Sequence, residues 1–477
     1  MKPFIKLNIK DNVAIALKNL KQDTELQTDN GSIVLTEDIS RGHKFALQSI
    51  AEGEEVLKYG HPIGHAEIAI LRGAHVHSHN LSSNFPEPNY APQLEERMGI
   101  LMDREVKAFH RKNWDIGIRN ELWIVPTVGS VNQTAQHIKA RFLDEINRLE
   151  ADGVHVLEHH YGSSQTGSDL DATRSMLQSI VLHPNAGGVL VLSLGTESND
   201  LKTFKETLGD YDEKRIRFMT VMEQTDEIGA GAEILHELHN KMKTDYRSTS
   251  LLRNLKIGIA PEVLGSFSQM TVNPLLSGLS DYIIKSGGSV VLSDSKQLKE
   301  AAPQLATRSV SEAVYNKFLQ LLTKEEAGFE LPEGISTGTE QSLSYVKKAG
   351  TSNIVEVLDY SQRLNKHGLH LLKTPKDERL SVTAIGAAGC QMVIFPTENG
   401  TPFGGFIPTI KMASTTELAN KKPNWMDYDA EASLFTTPEE ALEGFINYIC
   451  DIANGKWTQN EYNDYREIGI LRTGITI

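Results

Sequence analysis

The chain has 477 residues, 39% hydrophobic and 23% charged, the balance of a globular protein with room for about three domains. Its formal charge of −14, from 48 basic and 62 acidic residues, repels phosphate backbones and anionic lipid, so nucleic acid and membrane surfaces are poor partners. Two cysteines, Cys390 and Cys450, cannot build a disulfide framework or a cysteine-only zinc site. The charged start has no signal-peptide core, and no stretch reaches the roughly 18 apolar residues of a membrane span; the expectation is a cytoplasmic protein.

Residues 1–82 read as a small β domain. Gly31, Gly42, Gly53, Gly64 and Gly73 punctuate short runs at the spacing of compact all-β modules. Ile5, Leu7 and Ile9 alternate as in a strand. Asp11 followed by Val13, Ala16, Leu17 and Leu20 predicts one early helix, and "DNG" at 29–31 predicts a hairpin turn. In "AHVHSHN", His75, His77 and His79 alternate, which on a strand would put three imidazoles on one face, an arrangement suited to proton transfer or a divalent metal. A solvated polar strand end is the alternative, but His43, Lys44, His61 and His65 in the same module are more titratable groups than packing requires.

Residues 83–104, with Pro86, Pro88 and Pro92, read as an extended linker. From 105 to 248 the rhythm is strand, polar loop, helix: "LWIVP" (122–126), then a helix with Ala135, Ile138, Phe142, Ile146 and Leu149 as its stripe; "GVHVLE", then a helix with Leu170, Met176, Leu177 and Ile180; "GGVLVLSLG"; and "RFMTVM" before a helix from Thr225 to Met242. Such repeats imply a parallel sheet whose ligands bind at the carboxyl ends of its strands, where the loops "GSVN", "HHYGSSQTG" and "GTESN" must lie. Residues 249–477 read as a second α/β set, with strands in "LKIGIA", "GGSVVLSD" and "CQMVIFPT", helices at 273–287, 309–322 and 437–453, and a surface loop at 328–339. Cys450 shares the stripe of Leu442, Phe445, Ile446 and Ile449 and reads as core.

Arg119, just before the strand 122–126, is suited either to a substrate carboxylate or to an interdomain salt bridge. "ENGTPFGGFIPTIK" (398–411) is a Gly/Pro loop of the kind that holds a site, ending on Lys411. "GAGAE" at 229–233 lies inside a helical pattern and is not a dinucleotide fingerprint, so no nucleotide cofactor is expected.

The blocks "DNVAIAL", "DISRGHKFAL", "YGHPIGHAEI", "VHSHN", "GIRNELWIVPTVG", "DATRSMLQSIVLHPNAGGVLVLSLG", "TAIGAAGCQMVIF", "GTPFGGFIPTIK" and "NWMDYDA" together resemble the altronate dehydratase and galactarate dehydratase family, in the form that fuses an SAF-type β domain to the large part. The resemblance runs nearly end to end. It implies an α/β architecture in which a small N-terminal SAF-like β domain joins two α/β domains with mainly parallel sheets. It also implies a hydro-lyase that removes water from a small anionic sugar acid, altronate-like, to give a 2-keto-3-deoxy acid with help from Fe2+ or Mn2+. Such chemistry needs a base for the proton α to a carboxylate, cations for the developing charge and an acid for the departing β-hydroxyl. The residues suited to it are His43, Lys44, His77, His79 and His159 as catalytic groups, His77 and His79 as metal ligands, and Arg119, Asn120, Ser130, Ser163, Thr196, Thr401 and Lys411 as substrate contacts. A homo-oligomer is compatible with this reading.

The family pattern usually carries cysteine in the first three glycine loops, where this chain has Ser130, Ser163 and Thr196. Serine and threonine are poorer ligands than thiolate for a soft or borderline metal, so an iron site built from those loops is expected to be absent or weak. The alternatives to altronate-type dehydration are a non-catalytic paralogue that binds a sugar acid or a true dehydratase, and a lyase for a sulfonated hydroxy acid.

Overall fold

A computed structural model describes residues 3–472 except 30, 59–60, 78, 83–103, 113–114, 262–264, 266, 294–300, 302–304, 324–347 and 376. The linker expected at 83–104, save its last residue, and the loop at 328–339 lie outside the described residues.

The N-terminal module is built from short antiparallel strands. Phe4–Ile5, Val13–Ala16, Lys44–Ala46 and His75–Val76 form one sheet, Glu55–Lys58, His61–Ala66 and Leu81–Ser82 another, and Glu25–Thr28 with Gly31–Val34 a hairpin closed at Thr28↔Gly31, where the turn is expected. The early helix is not there: Val13–Ala16 is a strand paired with Phe4–Ile5 and with Lys44–Ala46. It lies between two cores, with Val13 packed among Ala46, Val56 and Ile63, and Ala14 and Ala16 among Leu26, Ile33 and Phe45. A strand buried on both faces gives a continuous apolar run that periodicity cannot separate from a helix.

The first α/β unit alternates β1 (Glu121–Pro126), α1 (Asn132–Glu145), β2 (Val154–Val156), α2 (Gly167–Val181), β3 (Ala186–Ser193), α3 (Leu201–Thr207), β4 (Ile216–Thr220) and α4 (Glu227–Met242). Its sheet is parallel in the order β2-β1-β3-β4. The α1 stripe buries Ala135, Ile138 and Phe142, but the helix ends at Glu145, so Ile146 is its cap and Leu149 lies beyond it. "GAGAE" is inside α4, as the pattern predicts.

The second unit contains β5 (Lys256–Ile259), α5 (Ser268–Lys285), β6 (Ser289–Ser293), α6 (Glu312–Thr323), β7 (Ile354–Leu358), β8 (Gly368–Leu372), α7 (Glu378–Ala387), β9 (Met392–Thr397), β10 (Thr409–Ala413), α8 (Thr416–Lys421), β11 (Tyr428–Asp429), α9 (Pro438–Ala453) and α10 (Gln459–Tyr462). Every strand pair is parallel, in the order β7-β8-β6-β5-β9-β10-β11. Strands β7, β8 and β10 were not expected from the sequence pattern. Helix α5 starts five residues before the expected 273 and carries Pro274 inside it.

Period-two alternation sorts the side chains into layers. Leu122 and Ile124 of β1 face α1 and α4. Trp123 and Val125 face an inner layer, where α2 and α3 meet α7 and the Val393 and Phe395 face of β9. The outer face of the second sheet, with Ile257, Ile259, Val290 and Ile394, is covered by α5 and α9. Val106, Ala108, Ile116 and Ile118, N-terminal to β1, pack into this outer core of the second unit. The two sheets are therefore joined through one continuous apolar layer.

Gly258 in β5 marks how tightly α7 sits on the sheet: a Cβ there would stand 2.0 Å from Ile385 Cγ2. Overpacking of this kind costs about 1–3 kcal/mol. Gly258→Ala is expected to lower stability by that order in chemical denaturation, and an unchanged midpoint would show that α7 can shift freely.

Candidate active site

The site begins with strand pairing. Lys44–Ala46 pairs with His75–Val76 in the register Lys44↔Val76 and Phe45↔His75, which sets His43 beside the segment leaving the second strand. Only His75 is in that strand; His77 and His79 lie in the following bend and turn, so alternation is not what gathers them. Buried Asn80 does this: its Oδ1 accepts from the His77 backbone N–H at 3.0 Å and its Nδ2 donates to the His75 carbonyl at 2.8 Å. Ring centroids are 5.0 Å apart for His43 and His75, 5.4 Å for His43 and His77, 5.3 Å for His75 and His77, and 5.8 Å for His75 and His79. Lys44 is buried in the strand beside them.

His43 Nδ1 and His75 Nε2 are 2.9 Å apart. One ring must donate and the other accept, so the two cannot both be protonated. Burial, reinforced by the positive potential of His43 and His77, pushes the His75 pKa down to about 4. The His75 imidazole is thus neutral at neutral pH.

The turn carrying His43 docks the module on the second unit. The Arg41 guanidinium lies 4.4 Å over the Phe267 ring, and its Nη2 donates to both Glu431 oxygens at 2.8 and 2.9 Å. Gly42, at φ +84°, faces the Phe267 backbone so closely that a Cβ would be 3.4 Å from Phe267 Cβ. Phe267 lies between β5 and α5, and Glu431 follows β11, so the contact is on the carboxyl edge of the second sheet. That sheet reverses its direction of growth between β5 and β9, the position where open α/β sheets bind ligands. Just beyond those two strands, Ser268 donates its hydroxyl to Glu398 Oε1.

On the first sheet, Ser130, Ser163 and Thr196 lie exposed in the loops after β1, β2 and β3. Their loops are stitched together: the Gly129 N–H donates to the Tyr161 carbonyl at 2.9 Å, the Asn199 N–H to Gly162 at 3.2 Å, and the Ser198 hydroxyl to Ser163 at 2.8 Å. Glu197, overlooked in the sequence, organises them by accepting from the Thr127 and Ser193 hydroxyls and the Leu194 and Gly195 N–H groups. Burial would raise its pKa, but these hydrogen bonds outweigh burial and hold it below the usual carboxylate range.

Four expected site residues are used structurally. Arg119 is fully buried at the amino end of β1, away from the ligand edge. Its Nε and Nη2 donate to the two oxygens of Glu461 at 2.6 and 2.8 Å, and its other N–H groups to the carbonyls of Ile118, Ile452 and Lys456. All five donors are used, so the interdomain salt bridge holds and the substrate role does not. Asn120, at the same end, is buried and accepts from Arg111. His159 donates Nε2–H to the Pro126 carbonyl at 2.8 Å and accepts from the Tyr161 N–H on Nδ1, leaving no ring nitrogen for proton transfer. Lys411 is buried on β10, and its Nζ donates to the carbonyls of Thr401, Pro402 and Phe403. Burial lowers its pKa to about 8, against the opposing charges of Asp427 and Glu378. Lysine here holds the Gly/Pro loop by its backbone, while the Thr401 hydroxyl accepts from the Phe403 N–H.

The expected metal ligands His77 and His79 have near-parallel rings, 15° apart, with centroids separated by 6.5 Å. Among the described residues no three His, Cys, Asp or Glu side chains form a group that could hold a metal ion.

The fold is α/β, and its N-terminal module brings four imidazoles together. Three family models match in order: the altronate/galactarate dehydratase SAF domain at residues 2–84, the D-galactarate dehydratase/altronate hydrolase second domain at 108–243, and the D-galactarate/altronate dehydratase C-terminal domain at 253–476. The chain is 43% identical to the altronate dehydratase of Escherichia coli (strain K12), covering 99% of this chain and 100% of that one. It is 41% identical to the altronate dehydratase of Bacillus subtilis (strain 168), covering 100% of both, and 29% identical to the galactarate dehydratase (L-threo-forming) of Escherichia coli (strain K12), covering 95% and 93%. The chain belongs to the altronate/galactarate dehydratase family.

Two outcomes follow from the structural residues. Arg119→Ala would strand the Glu461 carboxylate in the core and is expected to cost about 3–5 kcal/mol, read by denaturant unfolding; a raised KM with unchanged stability would restore the substrate role. Burial lowers the His159 pKa from 6.5 to about 4, against its hydrogen bond to Pro126. Its contribution is therefore complete above pH 6.5 and is lost as pH falls toward 4, by on the order of 3 kcal/mol, because the unfolded chain takes up a proton the native ring refuses. Unfolding measured across that range should show a shallower acid slope in His159→Gln than in wild type; equal slopes would contradict the assignment.

Proposed function

We propose that this protein is a carbon–oxygen hydro-lyase that dehydrates an altronate-like sugar acid to a 2-keto-3-deoxy acid at the carboxyl edge of the second sheet. The observation that carries the reading is the docking of the histidine-bearing turn on that edge through Arg41. Membership of a family whose matched relatives are named dehydratases supports the catalytic reading over a non-catalytic paralogue. A neutral imidazole of the His43–His75 pair takes the proton α to the substrate carboxylate. A protonated imidazole of the cluster, His77 or His79, gives a proton to the β-hydroxyl. The C–H and C–O bonds break, water leaves, and the resulting enol tautomerises to the 2-keto acid. The Ser268–Glu398 pair at the β5 and β9 ends supplies polar contacts for substrate hydroxyls. Ser130, Ser163 and Thr196 form a separate hydroxyl-bearing edge suited to sugar-acid contact.

The reading includes a small anionic substrate, the cytoplasm as compartment and a homo-oligomer as a compatible assembly. Among the described residues no helix is long and apolar enough to cross a membrane. Fe2+ or Mn2+ is what the family resemblance implies, and the test includes both.

Purified protein is incubated with altronate, galactarate and related aldonates, with chelator, Fe2+ or Mn2+, and 2-keto-3-deoxy acid is assayed. Product from altronate is expected, and its absence under every condition would refute the proposal. His43→Ala and His77→Ala should each lower kcat by about 100-fold or more with unchanged melting temperature; wild-type kcat in both would remove the cluster from the mechanism.

A further inference from the structure

Strands β5 and β9 are parallel neighbours, and the chain leaving each contributes one polar side chain to the carboxyl edge of the second sheet. Ser268 is the first residue of α5, and Glu398 directly follows β9. Ser268 is fully buried and donates its hydroxyl hydrogen to Glu398 Oε1. The backbone beside the half-buried carboxylate is bare: a Cβ on Gly265 would lie 2.8 Å from Glu398 Oε2 and 3.0 Å from Oε1. One hydroxyl and one glycine therefore fix where the carboxylate stands. Phe267, the neighbour of Ser268, is the residue against which Gly42 packs, so the pair lies next to the turn that brings His43 to the sheet. We propose that Ser268 and Glu398 determine the substrate class at this edge, by accepting the terminal hydroxymethyl group of a monocarboxylate sugar acid and rejecting a second carboxylate in its place; this rests on the dehydratase reading of the same site.

The selection follows from donors and acceptors. An ionised carboxylate only accepts hydrogen bonds, and a serine whose hydrogen is already given away presents only its lone pairs. The pair therefore offers a ligand acceptors alone. A hydroxymethyl group brings the hydrogen that such a site lacks. A carboxylate brings more lone pairs and a like charge, so the polar atoms on both sides lose water without gaining a partner. Two cations of this edge are engaged elsewhere and do not offset that charge: Arg41 Nη2 donates to both Glu431 oxygens, and Lys411 Nζ to the carbonyls of Thr401, Pro402 and Phe403. A site built to receive a substrate hydroxyl discriminates strongly against an analogue that cannot donate, more so than an apolar pocket does against a change of size. With the far end of the sugar acid held here, its reacting carboxylate faces the imidazole cluster, where the proton transfers are placed.

The test is calorimetric titration of the full chain with altronate and with altrarate, the same sugar acid with its terminal hydroxymethyl oxidised to carboxylate, and turnover of each is measured in parallel. Altronate is expected to bind about 100-fold more tightly. Glu398→Gln, which places an amide donor at the same position, should narrow that preference tenfold or more. Glu398→Asp, which keeps an acceptor-only group, should leave altronate the preferred ligand, and both variants should keep the wild-type melting temperature. Equal affinity of the wild type for the two acids, binding of neither, an unchanged preference in Glu398→Gln, or an equal loss of preference in Glu398→Asp would overturn the proposal. Selective binding of altronate without product would refute the dehydratase reading while establishing the selectivity. Product from both acids at equal kcat/KM would do the reverse.

Discussion

The ion pair between Arg119 and Glu461 is the constraint on which the arrangement of the large domains depends. Two charges taken out of water repay their desolvation only when the geometry is close and every remaining donor and acceptor is used. Both conditions are met. All five guanidinium N–H groups are satisfied, and Glu461 Oε2 also accepts from the Thr458 N–H and hydroxyl as part of the α10 capping box. Burial would raise the Glu461 pKa, but Arg119 and Arg466 outweigh it and keep the group ionised. The partners are 342 residues apart in sequence, so the pair ties the start of β1 to the end of the second unit. Arg466 and Glu121 extend it, and Glu121 Oε2 accepts from the Trp123 indole N–H at 2.8 Å. The network thereby reaches the apolar layer that joins the two sheets.

Its position separates stability from chemistry. The buried charges sit at the amino end of β1, where no ligand crevice forms in a parallel sheet. The carboxyl ends carry Ser130, Ser163 and Thr196 on one sheet and Phe267, Ser268, Glu398 and Glu431 on the other. Those loops can differ without disturbing the ion pair, because the layers beneath them are held from the opposite end. Lys411 performs a similar task close to the second edge: one buried ammonium gathers three successive carbonyls of 401–403, so a loop with one proline and three glycines between 400 and 405 is held by a single side chain.

Much of this was legible in the sequence, and the failures have physical causes. The β-loop-α rhythm revealed the first parallel sheet because each helix shows its apolar face at 3.6-residue spacing. Val13–Ala16 misled because both its faces are buried, which erases the alternation that marks a strand. Arg119 stood out correctly as a residue with a strong partner, but a local pattern cannot say whether that partner is a substrate or Glu461 far along the chain. The histidines were recognised by type, and their convergence was expected from strand alternation. The actual cause is a turn held by Asn80, visible in "VHSHN" as a residue but not as a brace. Arg41 and Glu431 carried no signal alone, since a docking contact is defined only when two distant surfaces meet.

That docking contact also positions the imidazole cluster. Arg41 and His43 flank one glycine, so the turn that binds the second unit is the turn that positions the first imidazole. Glu431 is itself held from two directions: its Oε2 accepts from the Thr416 N–H at 2.8 Å, and its own N–H donates to Asp429 Oδ1 at 3.0 Å. Thr416 opens α8 after β10, and Asp429 ends β11, so the carboxylate that receives Arg41 reports the positions of two neighbouring strand ends. A guanidinium stacked on Phe267 and donating to this carboxylate is oriented by a plane and by two oxygens together, which restricts rotation of the module as well as its distance from the sheet. The imidazole cluster is consequently aligned with the edge of the second sheet by the same few atoms that hold the module there.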